Sequence, residues 1–110
     1  MRQILEKAAE RDEPVYMSEV NYAEVQYIIR RKDGDAAWKA IAAELTAAPI
    51  EFYAAGRGLA NLAADLKARF KISLADAFAA ALAKEKKAEL ITSDPEFKAL
   101  EKEIKIGWLK

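Results

Sequence analysis

Between Ser73 and Pro95 the chain reads SLADAFAAALAKEKKAELITSDP. Ser73 is a residue type that opens helices, because its hydroxyl accepts one of the backbone N–H groups left free at a helix start. The run after it is rich in Ala along one side, which predicts a helix to about Lys87. Glu89-Leu90-Ile91-Thr92 is a short apolar segment that suits a strand, and Asp94-Pro95 then opens a short helix through Leu100. Helix, strand and helix in this order argue for parallel strands with helices packed around them.

The same punctuation extends in both directions. Ile104 to Leu109 is the last strand candidate. Towards the N-terminus, a helix from about Leu59 to Phe70 gathers Leu59, Leu62, Ala63 and Leu66 on one side, and Ile50-Glu51-Phe52-Tyr53 alternates like a strand. A helix over Ala36 to Ala47 places Trp38, Ile41, Ala42 and Leu45 together, after a turn at Asp33-Gly34-Asp35. Glu19 to about Arg31 is a further helix, capped by Ser18, with Val20, Tyr27 and Ile28 on an apolar face. It ends in Arg30-Arg31-Lys32, where cations complement the helix dipole. Val15-Tyr16-Met17 reads as a buried strand, and Pro14 closes a charged helix from Ile4 to Arg11. No repeat, low-complexity stretch or linker interrupts the pattern. The expectation is one domain over residues 1–110, of the α/β class.

Composition narrows the chemistry. The 110 residues contain no Cys and no His, which excludes disulfides, thiolate nucleophiles, Cys/His zinc sites and histidine bases. Acid–base work must fall to carboxylates, Lys or Tyr, and any metal bound through oxygen is a hard ion such as Mg²⁺ or Mn²⁺. Lys plus Arg and Asp plus Glu are both 18, so nucleic-acid contact would need a local basic patch. There is no apolar run long enough for a membrane span, and MRQILEKAAERDE is too charged for a signal peptide. A cytoplasmic protein is the expectation.

Three acids stand out. Glu24 falls between Val20, Tyr27 and Ile28 on its helix, where a carboxylate costs desolvation unless a partner or metal takes the charge. An ion pair with Arg31, or simple solvent contact at the edge of the face, explains it equally well. Asp76 follows Ser73 by three residues, as in a capping box, although Asp is shorter than the usual Glu or Gln. Asp94 precedes Pro95 as an N-cap, yet it also lies at the C-terminal end of a strand in a presumed parallel sheet, where ligands bind.

The segments around these acids resemble the PIN-domain family of VapC-like toxin ribonucleases. Ser18-Glu19-Val20-Asn21-Tyr22-Ala23-Glu24-Val25 looks like the helix bearing the family's second acidic residue. Ser73-Leu74-Ala75-Asp76-Ala77-Phe78-Ala79-Ala80-Ala81 is similar to the segment bearing the third, and it is the most specific match. Leu90-Ile91-Thr92-Ser93-Asp94-Pro95-Glu96-Phe97 resembles the strand-to-helix turn with the fourth. The resemblance implies a three-layer PIN-like fold, a parallel sheet flanked by helices. It also implies hydrolysis of RNA phosphodiester bonds with Mg²⁺ or Mn²⁺ held by Glu24, Asp76 and Asp94, with Thr92 or Ser93 supporting Asp94. Arg30, Arg31 and Lys32 are either phosphate contacts or a solvated helix end.

The family's opening strand, with its first Asp, has no counterpart here, because Met1-Arg2-Gln3-Ile4-Leu5-Glu6-Lys7 looks like the helix that follows it. The expectation is an N-terminally incomplete domain with three of four carboxylates, and weakened cleavage by this chain alone. A gap beside Val15–Met17 and Leu90–Thr92 would leave strand edges to be closed up or covered by a partner. The resemblance further implies a homodimer and a small antitoxin partner. A non-catalytic PIN-like interaction module, binding an antitoxin or itself, is the alternative function.

Overall fold

Ser18 ends one element and starts the next: it is the last residue of a strand and the cap of the following helix. In the computed structural model of the protein, which describes residues 15–109, the order is β1 (Val15–Ser18), α1 (Glu19–Asp33), α2 (Asp35–Ala47), β2 (Ile50–Tyr53), α3 (Arg57–Arg69), α4 (Leu74–Lys86), β3 (Leu90–Thr92), a 3₁₀ helix (Pro95–Leu100) and β4 (Ile106–Trp108). The helix expected over Ile4 to Arg11 lies outside the described residues. The chain divides into two compact units, Met1–Tyr53 and Ala54–Lys110. Each holds one parallel strand pair with helices beside it, so the α/β class is met.

In the first unit β1 pairs with β2, in register from Val15 with Ile50 to Ser18 with Tyr53. Ser18 is 1% exposed, and its hydroxyl oxygen accepts the Asn21 N–H at 3.1 Å. The core uses Tyr22, whose ring meets Trp38 and Phe52 edge-on at centroid distances of 5.4 and 5.5 Å. Gly34 joins α1 to α2 at φ +90°, a conformation that disfavours a side chain, and Arg30 closes the turn through an ion pair with Asp35 at 2.8 Å.

Of the apolar face expected on α1, Val20 is half-buried but Tyr27 and Ile28 are not. Tyr27 and Ile28 are 49% and 47% exposed, and Arg31 lies over the Tyr27 ring. The packed stripe is instead Tyr22 with half-buried Val25 and Ile29, at helical spacing. Glu24 lies about 200° around the helix from Tyr22, on the other side. Two apolar stripes compete on α1, and the aromatic contact with Trp38 decides between them.

The second unit is built on α3 against α4. Leu59, Ala63 and Leu66 of α3 and Ala77, Phe78, Ala80, Ala81 and Leu82 of α4 are buried, with Phe97, Leu100 and Ile104 completing the core. Ala77, Ala80 and Ala81 have no exposed surface, so α4 presents a face of single methyl groups that permits close approach. Lys87 stops α4 in the left-handed conformation, its N–H donating to the Lys84 carbonyl. β3 pairs with β4 from Leu90 with Ile106 to Thr92 with Trp108.

Candidate metal centre

Three carboxylates of the second unit come together. One oxygen each from Asp76, Asp94 and Glu96 lie within 4.8 Å of one another, Asp76 and Asp94 half-buried and Glu96 exposed.

Local structure sets each of them. Ser73 caps α4 by accepting the backbone N–H of Asp76 at 3.1 Å, which fixes Asp76 in the first turn. Among the described residues the Ser73 N–H donates no hydrogen bond back to the Asp76 carboxylate, so the box is half formed and the carboxylate is left over. Asp94 caps the 3₁₀ helix with Pro95 at its first position, and its Oδ1 accepts the Glu96 N–H at 2.9 Å. Thr92 Oγ1 accepts the Asp94 N–H at 3.1 Å. The capping readings of Ser73 and Asp94 therefore hold, and neither uses up the acid concerned, because a carboxylate has about four acceptor positions.

Three carboxylates this close repel one another, and in low dielectric the repulsion grows. A divalent cation would offset it. The donors are all oxygen, which fits a hard ion of the Mg²⁺ or Mn²⁺ type and excludes a soft one. The sequence reading missed Glu96, since an acid in the first turn after a cap is ordinary helix-dipole placement. Its position two residues after a capping Asp was the available signal.

Asp76 and Asp94 are brought together. Glu24 belongs to the first unit, half-buried on α1. Ser93 is exposed. Arg30 is engaged with Asp35, which favours the helix-end explanation for that basic run.

Away from the acids, a surface ionic network joins α3, α4 and the turn before β4. Arg69 is bound by Glu103 and Asp65, each at 2.7 Å, and Lys84 reaches Glu103 at 3.3 Å. The Arg69 guanidinium holds the Glu103 carboxyl below its ordinary range against the opposing effect of burial, and Lys84 adds a lesser pull in the same direction as Arg69. Arg69 is in turn pushed up by its bonds to Glu103 and Asp65.

Residues 1–103 match the PIN domain family. No curated relative matches the chain. Among solved structures it is similar to VapBC2 from Rickettsia felis, solved bound to a DNA fragment from their promoter, at 18% identity and a TM-score of 0.78 over 99% of this chain and 84% of that one. At that identity the likeness speaks for the fold, and the family match over most of the sequence decides membership: the chain belongs to the PIN domain family.

Proposed function

We propose that the protein is a metal-dependent endoribonuclease of the toxin–antitoxin type, one PIN-like domain using Mg²⁺ or Mn²⁺. The observation that carries this reading is the Asp76–Asp94–Glu96 cluster in a chain of the PIN family. Asp76 and Asp94 hold the cation, with Glu96 as a third carboxylate, and Glu24 joins the site on the strength of its motif. When bound, the cation lowers the pKa of a coordinated water and offsets charge on the phosphate. The protein's own part is positional: Ser73 anchors the turn that carries Asp76, and Thr92 anchors the backbone of Asp94.

Support for a protein partner comes from Tyr27 and Ile28, large apolar side chains about half exposed on α1. They suit a small antitoxin or a second copy of the chain. The same surface favours the alternative, a non-catalytic interaction module. No helix among the described residues is long and apolar enough to cross a membrane, and we place the protein in the cytoplasm.

Calorimetric titration with Mn²⁺ and cleavage of a labelled RNA test the proposal together. Binding and cleavage that both disappear in Asp76→Asn are the expected result. Absence of binding at millimolar metal would sink the nuclease reading, and complex formation by a wild type that never cleaves would favour the interaction module.

A further inference from the structure

We propose that Trp108 is a stacking platform for an unpaired base of the RNA, beside the phosphate held at the acidic centre. The inference rests on the nuclease reading above and adds to it a residue that contacts a base.

Trp108 is the last residue of β4 and the register partner of Thr92. In a parallel pair, register partners project to the same face, and neighbouring strands lie roughly 4.8 Å apart. Thr92 is tied to both sides: its carbonyl accepts the Leu109 N–H at 2.9 Å, and its hydroxyl accepts the Asp94 N–H at 3.1 Å. Two residues of chain and one strand spacing therefore separate Trp108 from Asp94, no more than about 12 Å between Cα atoms. Side chains of the length of an indole and a carboxylate can span such a gap.

The indole is not consumed by the core. Trp108 is 39% exposed, whereas Trp38 is 8% exposed. On the opposite face of β4, Glu89 and Ile91 occupy the space over Gly107, so the open side of this strand end is the side of Trp108 and Thr92. Leu74, two residues before Asp76 in the first turn of α4, is 55% exposed. Exposed apolar groups thus lie two residues from Asp76 on α4 and, on β4, beside the strand that leads to Asp94. A nucleotide has the matching division: an anionic phosphate for the cation and a flat, weakly polar base for the ring.

The two tryptophans make the test direct. Emission of the full chain is followed during titration with single-stranded oligouridylate and oligoadenylate, in Ca²⁺ and again in EDTA, with anisotropy of end-labelled RNA as the measure of binding. Saturable quenching by single strands, and none by the corresponding duplex, is expected. Trp108→Phe should lose the quench and keep affinity within about threefold, while Trp108→Ala should weaken RNA binding by about tenfold. Unchanged emission, unchanged affinity in Trp108→Ala, or a change in oligomeric state in place of an RNA effect would overturn the inference. Failure of the nuclease reading shows separately, as loss of Mn²⁺ binding by the wild type. Intact metal binding and cleavage with an inert Trp108→Ala would overturn the stacking role alone.

Discussion

The Thr92 hydroxyl accepts the backbone N–H of Asp94 at 3.1 Å, so a strand residue sets the position of the residue that leaves the strand. Thr92→Val keeps the branched shape and deletes the acceptor in a part-buried position. We expect a loss of roughly 1 kcal/mol in urea unfolding and a fall of roughly tenfold in Mn²⁺ affinity by calorimetry. Thr92→Ser should recover both. A Thr92→Val protein indistinguishable from wild type in affinity would remove Thr92 from the support of the site.

Ser73 and Asp76 separate capping from metal binding. The cap is a bond from the Asp76 backbone to the Ser73 side chain, so Ser73→Ala should cost about 1 kcal/mol. Asp76→Asn keeps that backbone bond and should shift unfolding by less than about 0.5 kcal/mol, while abolishing the metal response. Equal destabilisation by the two changes would mean that the Asp76 side chain is structural.

Gly107 is a packing position. A Cβ there would lie 2.1 Å from Glu89 Oε1 and 2.7 Å from Ile91 Cδ1. Gly107→Val should destabilise by about 1–3 kcal/mol. Adding Glu89→Ala should restore part of this, because the Ile91 contact stays. Full recovery in the double variant would show that Ile91 yields freely.

Acid should loosen the Arg69 network. A carboxyl held low in the folded protein stabilises it above the ordinary carboxylate range, and the contribution drains away as pH falls through the lowered value. Glu103 is such a group, held low chiefly by Arg69. Thermal unfolding of Glu103→Gln should therefore differ from wild type at neutral pH, with the gap narrowing below about pH 4. A gap independent of pH would assign the effect of the substitution to packing.

Most elements were legible because their ends are chemically marked. Ser18, Ser73 and Asp94-Pro95 each open a helix where the sequence places them. The final strand is shorter than the expected Ile104 to Leu109, since Ile104 is buried and its N–H donates to the Leu100 carbonyl at 3.0 Å, leaving the ladder to begin at Ile106. Alternation cannot distinguish a strand residue from an apolar turn residue of the same parity. The helix after Asp94 is of the 3₁₀ type, a choice of hydrogen-bond partner that composition does not encode. On α1, periodicity found an apolar stripe at Val20, Tyr27 and Ile28, but the side packed by Tyr22 is settled by aromatic partners distant in sequence. Of the acids, Asp76 and Asp94 were visible through their motifs, while Glu96, marked only by its place two residues after a capping Asp, stands out once a turn folds it back beside that cap.

Under the proposed function, that turn would bear on the protein's longevity as well as its chemistry. Oxygens of like charge lie within 4.8 Å of one another there, and a bound cation would offset their repulsion. Under the proposed function, each tenfold rise of free cation above its dissociation constant adds about 1.4 kcal/mol of folding stability. The population of opened molecules available to a protease would shrink in the same proportion. Magnesium supply would then govern how long a copy of the protein survives, independently of whether any RNA is being cut.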